Sequence, residues 1–255
     1  MSNTLLLSDD KLFYTLEGES EYIGQPSVFM RLSMCNLRCP GFASPDSPNG
    51  CDSYISWSVK NKYTFQQIWD EFFVEQRFAE RLRAGAILKY TGGEPLVQQK
   101  ALWQWDEFLR DKLCDKFGPS QTANIRTDFE TNATIRPDSQ WVPRATFTTS
   151  PKLTSNGDPE NKTYKPEVLR WHVANNSGFK FVITSDKDIE EIWRKYVEDK
   201  EGINVPRSRI WFMPACGSRE EHIERAPAVA EYAKAMGVNF SPRLHLLIWD
   251  KALKV

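Results

Sequence analysis

Residues 27–53 read SVFMRLSMCNLRCPGFASPDSPNGCDS, an apolar run followed by three cysteines in a polar segment. The apolar part, residues 27–32, has the composition of a buried strand. Cys35, Cys39 and Cys51 follow it within 17 residues. Parallel α/β sheets place their functional sites at the carboxyl ends of strands. The segment therefore predicts a parallel strand with a cysteine-bearing site at its end.

Apolar runs and amphipathic segments alternate along the rest of the chain. Further strands are predicted at residues 86–91, 124–131, 145–149, 179–184 and 210–213. Helices are predicted at residues 65–84, with Thr64 as N-cap, and at 102–113, 186–197 and 220–236. The alternation predicts a parallel α/β sheet of about six strands, fewer than a closed eight-stranded barrel needs. Residues 156–166 are polar with two prolines, which predicts a surface loop.

The composition excludes several classes of protein. The 255 residues are 40% hydrophobic and 26% charged, which excludes a disordered chain. The formal net charge of −1 is atypical of a nucleic-acid binder. No apolar run reaches the roughly 20 residues of a membrane span, and residues 1–10 have no basic region of a signal peptide. We expect a cytoplasmic protein with a single domain over residues 1–255.

Cysteine usage points to a metal site or a cluster. Five cysteines are an odd number, which disfavours a secreted disulfide framework. Nine of the eleven residues between Cys39 and Cys51 are Pro, Gly, Ser, Asp or Asn, so this loop could bring Cys51 back beside the other two. Three thiolates can hold three irons of a four-iron cluster and leave the fourth open. Three unrelated buried cysteines, or zinc with a fourth ligand from Cys114, Cys216 or a distant histidine, remain alternatives.

Other polar motifs follow predicted strands. In residues 90–96, YTGGEPL, two glycines would let a ligand approach the backbone and Glu94 could take an ammonium, although an ordinary turn reads the same way. In residues 15–22, TLEGESEY, Glu17 and Glu19 could grip a polar heterocycle or form a solvated acidic turn. Residues 129–134 (FETNAT) and 148–152 (TTSPK) suit a ribose, a carboxylate or a phosphate, or are turns. A lone His245 in an apolar run is more often a core residue than a catalyst.

In this order, the motifs resemble the 7-carboxy-7-deazaguanine synthase (QueE) family of the radical S-adenosylmethionine superfamily. The family opens with a segment like FxSIQGEGxxxGxPxVFVRLxGCNLRC, and residues 13–39 read FYTLEGESEYIGQPSVFMRLSMCNLRC. TGGEP, ETNAT, SPK, KFVI, a Met-Pro pair and a terminal histidine follow in order, at residues 91–95, 130–134, 150–152, 180–183, 213–214 and 245. The resemblance covers about residues 12–250 and implies an incomplete (β/α)6 TIM-like barrel of the radical S-adenosylmethionine type.

The resemblance also implies roles for individual residues. Cys35, Cys39 and Cys51 would ligate a 4Fe-4S cluster, and Ser53 would contact Mg²⁺. The S-adenosylmethionine site would comprise Cys51, Asp52, Gly92, Gly93, Glu94, Ser150, Pro151, Lys152, Met213 and Pro214. The substrate site would comprise Leu16, Glu17, Gly18, Glu19, Arg31, Thr91 and His245, with Arg31 on the substrate carboxylate.

The implied reaction is a ring contraction of 6-carboxy-5,6,7,8-tetrahydropterin to 7-carboxy-7-deazaguanine with release of ammonia, which feeds deazapurine biosynthesis. The family tends to form homodimers and needs an electron donor of the flavodoxin kind. We expect no direct contact with nucleic acid or membrane. Another radical S-adenosylmethionine enzyme, such as a glycyl-radical activase, is the alternative, although it should lack the GEG-like segment.

Several residues depart from the family pattern. The family usually spaces its cysteines CxxxCxxC, although members with a longer gap exist, and here eleven residues separate Cys39 from Cys51. Glu17 stands where Gln is usual, Ser20 where Gly is usual, and Arg243 where Gln is usual. The last three changes fall in the implied substrate pocket, so they bear on substrate choice.

Overall fold

The computed structural model describes residues 3–43, 48–198 and 202–252. In this part of the chain nine strands form one sheet, in the order β3-β1-β2-β4-β5-β6-β7-β8-β9. The strands are β1 Thr4–Leu16, β2 Pro26–Leu32, β3 Asn61–Thr64, β4 Ile87–Gly92, β5 Thr127–Thr131, β6 Thr146–Thr149, β7 Gly178–Ile183, β8 Ile210–Pro214 and β9 Asn239–Phe240. Strand β2 and strands β4 to β9 are parallel, whereas β1 runs antiparallel to both β2 and β3.

Helices cover one face of the sheet. They are α1 Tyr54–Ser58, α2 Phe65–Ile68, α3 Phe78–Arg83, α4 Gln99–Phe117, α5 Pro119–Thr122, α6 Glu160–Thr163, α7 Pro166–Ala174, α8 Asp186–Ile192, α9 Arg219–Met236 and α10 Leu244–Trp249. Two of them continue as π-helical turns, Trp69–Glu75 after α2 and Trp193–Val197 after α8. Among the described helices, none has both the length and the apolarity to span a membrane.

The α/β class and the six predicted parallel strands are confirmed, as β2 and β4 to β8. The predicted incomplete barrel is not established, because the sheet has nine strands and ends in two separate edges, β3 and β9. Strands β1, β3 and β9 were not predicted. The bulge between Leu7 and Leu12 interrupts the alternation of β1. Strand β3 has a polar sequence, NKYT, and β9 has only two residues.

The single helix predicted over residues 65–84 is wrong in its continuity. Its start is correct: the Gln67 backbone N–H donates to Thr64 Oγ1 at 3.1 Å, and the Thr64 N–H donates to Gln67 Oε1 at 2.8 Å. The helix then widens into the π-helical turn and breaks at Arg77, whose φ is 60°. No glycine or proline marks this break, so the sequence carries no local signal for it.

Alternate residues of the parallel strands face opposite sides of the sheet. Leu88, Tyr90 and Phe129 belong to the apolar core beneath the helices. Their neighbours Lys89 and Asp128 are paired in register and face the other side. On that side, Lys180 of β7 lies 4.0 Å from Glu130 of β5 across the intervening strand β6. The polar face is therefore concave.

The surface loop predicted at residues 156–166 is only partly present. It contains the short helix α6 and the start of α7. Asn156 is 0% exposed, and Thr163 is also buried. Although this segment is polar, the Asn156 side chain in it is buried and donates to Cys39 Sγ.

Candidate active site

The three clustered cysteines come together at the carboxyl end of β2. Gly50 closes the gap, since a Cβ there would lie 2.4 Å from the Cys39 carbonyl oxygen, and Gly50 has a φ of +101°. Burial raises the pKa of Cys35 to about 12, and the nearby Cys39 and Cys51 thiols add to that shift. The predicted return of Cys51 to the other two cysteines is confirmed, although residues 44–47 of that loop lie outside the described part.

The chemistry around these thiols suits a cluster. The Leu37 N–H donates to Cys35 Sγ at 3.4 Å, and the Asn156 amide donates to Cys39 Sγ at 3.6 Å. Burial raises the pKa of Cys39 to about 11, and the ammonium of Lys152 partly offsets it. Across residues 3–43, 48–198 and 202–252, no three acidic, histidine or cysteine side chains are arranged around a single metal ion. In a four-iron cluster each thiolate binds a different iron, so the three sulfurs need not surround one point as the ligands of a single ion do. Thiolates are also the soft donors that hold such a cluster.

Gly92 ends β4 and lies against Leu32 at the end of β2, and Gly93 follows it and lies against Met34 and Cys35. A Cβ at Gly92 would lie 2.1 Å from the Leu32 carbonyl oxygen, and Gly92 has a φ of +136°. A Cβ at Gly93 would lie 2.3 Å from the Met34 oxygen and 2.8 Å from Cys35 Cβ. Only glycines allow this approach, so the second predicted motif supports the backbone that presents Cys35.

The Glu94 carboxylate is buried and hydrogen-bonded to other residues of the chain. It is 0% exposed. Its carboxylate accepts hydrogen bonds from the backbone N–H of Leu96 at 3.0 Å and of Asn132 at 2.7 Å, and from Thr131 Oγ1 at 3.0 Å. Burial raises its pKa to about 7 against the effect of these hydrogen bonds. The carboxylate thus ties the end of β4 to the end of β5, and its predicted contact with a cofactor ammonium stays a prediction.

The remaining predicted cofactor residues lie at the same edge. Ser150 follows β6 and its N–H donates to the Thr131 carbonyl at 2.7 Å. Lys152, beyond Pro151, donates to Ser150 Oγ at 2.9 Å. Met213 and Pro214 end β8, in register with the end of β7. The carboxyl edge of the sheet therefore collects the cysteine, GGE, SPK and Met-Pro segments.

A buried ion-pair network lies on the concave face. Lys89 Nζ is 2.7 Å from Glu17 Oε2 and 2.7 Å from Asp128 Oδ2. Thr146 and Thr148 donate to the same aspartate at 2.7 and 3.1 Å. Burial raises the pKa of Glu17 to about 7 despite Lys89. Glu17 is therefore a buried carboxyl, and the alternative of a solvated acidic turn is wrong.

A second chain of charges connects Glu19 to the segment after Cys51. Glu19 pairs with Lys180, and Arg243 Nε donates to Glu19 Oε1 at 3.0 Å. Arg243 also lies 3.3 Å from Asp52 Oδ2 and donates to the Cys216 carbonyl. Burial alone would raise the pKa of Glu19, but Lys180 and Arg243 outweigh it and hold that pKa well below its usual range.

His245 of α10 lies over Gly18. A Cβ at Gly18 would lie 2.2 Å from His245 Nδ1, and the Leu244 N–H donates to the Gly18 carbonyl at 2.8 Å. Burial lowers the pKa of His245, while the Glu19 carboxylate opposes that shift. Helix α10 and the segment after β1 are therefore in contact. His245 lies beside Gly18 and the Glu19 carboxylate, and not in the apolar core.

Other predicted residues sit around this network. Arg31 faces the polar side in register with Thr91, and its guanidinium donates to Asp10 Oδ2 at 3.0 Å. Thr91 Oγ1 donates to Glu130 Oε2 at 2.8 Å. Ser53 Oγ donates to Asp52 Oδ1 at 3.1 Å. Leu16 ends β1 opposite Pro26.

Two other cysteines stand apart from the trio. Cys114 lies on α4. Cys216 is buried and its Sγ donates to the Pro214 carbonyl at 3.5 Å. Burial raises the pKa of its thiol, and the Arg243 guanidinium opposes that shift. Cys216 therefore lies beside Arg243, which donates to its backbone carbonyl.

Sequence reasoning missed several residues of the site. These are Asp10, Lys89, Asp128, Lys180, Asn156 and Asp158. A signal existed for Lys89 and Lys180, since each interrupts an apolar strand run, AILKYT and FKFVIT. A lysine within a buried strand demands an anionic partner.

Comparison with known proteins agrees with this arrangement. No protein-family model matches the chain. A curated protein of Halobacterium salinarum named 7-carboxy-7-deazaguanine synthase is 30% identical over 262 residues, which cover 95% of this chain and 90% of that protein. The chain belongs to the 7-carboxy-7-deazaguanine synthase family. A Hyperthermus butylicus protein of the same name is 29% identical over 93% of this chain and 91% of its own length.

The fold agrees with a solved structure of this family. The crystal structure of QueE from Escherichia coli superposes with a TM-score of 0.58 and covers 94% of this chain and 95% of that one, at 19% identity. Two residues that depart from the expected pattern, Glu17 and Arg243, both take part in ion pairs of the concave face, with Lys89 and Glu19 respectively.

Proposed function

We propose that the chain is a radical S-adenosylmethionine enzyme that converts 6-carboxy-5,6,7,8-tetrahydropterin into 7-carboxy-7-deazaguanine with release of ammonia. The observation that carries the proposal is the meeting of the cysteine loop and the GGE segment. Gly93 can lie against Cys35 only because it has no Cβ. A cofactor bound to that glycine backbone would therefore be next to the thiols. Relatives with the synthase name, which match 93% and 95% of this chain, support the choice of reaction.

The cofactors follow from the donor set. Cys35, Cys39 and Cys51 would hold a 4Fe-4S cluster with one open iron, which can bind S-adenosylmethionine. When bound, the cluster and S-adenosylmethionine would supply the radical chemistry that starts the conversion of the pterin. The backbone of Gly92 and Gly93 would bind the methionine end, and Lys152 would contribute positive charge beside it.

The chain's own residues would position the pterin within the concave face. Glu19, kept ionised by Lys180 and Arg243, can accept hydrogen bonds from ring N–H groups. Arg31 would exchange its contact with Asp10 for the substrate carboxylate, since its fork is planar and bidentate. Thr91 and His245 border the same space from β4 and α10. The enclosed site would also exclude water and oxygen from a reactive intermediate.

A divalent cation would sit beside the cysteine loop. Ser53 Oγ and Asp52 lie next to each other after Cys51, and oxygen ligands suit Mg²⁺. Such an ion would orient the substrate and neutralise charge. The Mg²⁺ role is part of the proposal, with Ser53 as the residue that touches the ion.

The location, electron donor, oligomeric state and partners of the enzyme and the use of its product are proposed from the family resemblance and the composition. We place the enzyme in the cytoplasm, with a flavodoxin-like electron donor. We expect a homodimer without direct nucleic-acid or membrane contact, in keeping with the net charge of −1. The product would feed deazapurine biosynthesis.

An anaerobic assay tests the function. The chain is reconstituted with iron and sulfide, reduced, and mixed with S-adenosylmethionine, Mg²⁺ and 6-carboxy-tetrahydropterin. Mass spectrometry should find 7-carboxy-7-deazaguanine, with 5′-deoxyadenosine measured alongside. Cys35→Ala should abolish both products, whereas Cys114→Ala, on α4, should make both at the wild-type rate.

The other outcomes separate the alternatives. Deoxyadenosine without the deazaguanine would keep the cofactor class and assign another substrate, as in an activase. A colourless protein with about one zinc per chain would contradict the cluster. Full iron in Cys51→Ala would remove Cys51 from the ligand set.

A further inference from the structure

The segment after β6 supports the middle cysteine of the trio. Asp158 Oδ2 accepts two backbone N–H groups, from Arg38 at 3.0 Å and from Cys39 at 2.7 Å. These bonds hold Cys39 in the left-handed region, with a φ of 52°. A non-glycine residue keeps such a conformation only when its surroundings enforce it. Asp158 therefore fixes the backbone that presents this thiol.

Asn156 acts on the sulfur itself. Its Nδ2 is 3.6 Å from Cys39 Sγ and 3.3 Å from Asp158 Oδ2, while its Oδ1 accepts the Asp158 N–H at 2.8 Å. The orientation of the amide is settled by these partners, since a flipped amide would set its oxygen against the carboxylate. The side chain is 0% exposed, so water does not compete for the N–H.

The two loops touch at backbone distance. A Cβ at Gly41 would lie 2.1 Å from the Ser155 carbonyl oxygen, and a Cβ at Gly157 would lie 2.9 Å from the Gly41 nitrogen. The contact falls within the long gap that separates Cys39 from Cys51. Because of this gap, Cys51 is not close to Cys39 in the sequence and cannot fix its position locally. The packing of Gly41 against residues 155–157 constrains the backbone next to Cys39 instead.

We propose that the Asn156–Asp158 segment is a positioning element for Cys39, in which Asp158 fixes the backbone and the Asn156 amide raises the reduction potential of the bound cluster. This inference rests on the proposed function. Reduction adds negative charge to the cluster, and an N–H dipole aimed at a ligating sulfur stabilises the added charge. Removing that N–H should make reduction harder.

The test is a redox titration of the reconstituted chain, followed by electron paramagnetic resonance, beside an iron count. Asn156→Leu should keep the wild-type iron content and shift the midpoint potential to a more negative value. Asp158→Ala should lower the iron content per chain. The control Asn175→Leu removes an amide that bonds the Trp171 carbonyl at 2.8 Å, remote from the cysteines, and should change neither quantity.

The outcomes are distinguishable. A full cluster in Asn156→Leu with an unchanged potential would overturn the tuning role, and full iron in Asp158→Ala would overturn the positioning role. If Asn156→Leu prevents folding or cluster uptake, Asn156→Ser replaces it, and the same criterion applies to its potential. A wild-type chain that takes up no cluster would contradict the proposed function instead.

Discussion

Lys89 is buried completely between two carboxylates, Glu17 and Asp128. Replacing it with an uncharged residue of similar length leaves both carboxylates without their cation in a site closed to water. Breaking a buried pair from one side costs about 3–5 kcal/mol. We expect Lys89→Met to lower the free energy of unfolding by that order in urea titrations at pH 7.

A surface ion pair provides the matched control. Lys234 pairs with Glu231 one helical turn away, and their side chains are 75% and 70% exposed. Lys234→Met should change stability by no more than about 0.5 kcal/mol. Equal effects of the two substitutions would contradict the role of the buried network.

The raised pKa of Glu17 predicts how the folding stability changes with pH. Burial raises its pKa to about 7 in the folded chain, against about 4.3 when unfolded. Below pH 4 the carboxyl is protonated in both states and contributes nothing. As pH rises from about 4.5 to about 7, the unfolded state loses its proton first, so folding stability falls.

Glu17→Gln removes this titration. The stability of the wild-type chain relative to Glu17→Gln should fall across that pH window, by about 1–3 kcal/mol. Chemical denaturation of the metal-free chain, at intervals from pH 4 to 8 with a reductant, measures the difference. Parallel stability curves for the two chains would show that Glu17 keeps an ordinary pKa.

At the scale of elements, the segment after β1 packs closely against helix α10 at Gly18, where the Leu244 N–H donates to the Gly18 carbonyl. Gly18→Ala would place a methyl group 2.2 Å from His245 Nδ1, so the imidazole must move. We expect loss of stability of about 1–3 kcal/mol from this overpacking, and weaker pterin binding if His245 borders the substrate. The measurements are urea unfolding and the KM for the pterin.

A double-mutant cycle checks the cause. In Gly18→Ala/His245→Ala the clash partner is gone, so the stability cost of the alanine at position 18 should be smaller than in the wild-type background. Additive costs would mean that the strain arises elsewhere. Pterin binding should stay weak in the double variant, because the imidazole is absent.

The elements that were predictable from sequence are those with a strong local pattern. The apolar runs of β2, β4 and β7 and the capped start of α2 at Thr64 were identified correctly. The break at Arg77 was not, although the residues on its two sides, Phe73 and Phe78, pack against each other in the core. That is a tertiary effect without a local signal.

The site was predictable to the extent that its motifs are contiguous. The cysteine loop and the GGE segment each lie in one stretch, and their order predicted that they meet. The Asn156 contact was hidden because polar turn residues read the same way when buried as when solvated. Lys180 and Glu19 are 161 positions apart, so only the curvature of the sheet brings them together.

At the scale of the whole molecule, Arg243 joins three distant parts of the chain. It contacts Glu19 after β1, the Cys216 carbonyl after β8, and Asp52 after the cysteine loop. The sheet is open, because its edge strands β3 and β9 are not hydrogen-bonded to each other. The Arg243 side chain therefore links parts of the concave face that the strands do not join. Hydrogen bonds to charged groups contribute about 1.5–3 kcal/mol each when buried.

Arg243→Gln shortens this link and removes its positive charge. We expect a loss of about 1–3 kcal/mol in unfolding free energy, because Glu19 keeps Lys180 but loses its second cation. The exposed Arg83→Gln, whose guanidinium lies over the Phe117 ring, should cost no more than about 0.5–1 kcal/mol. In the proposed reaction Arg243→Gln should raise the KM for the pterin more than it lowers kcat, since the arginine holds Glu19 in place for binding. A variant with wild-type stability and KM would show that the open side of the sheet does not depend on Arg243.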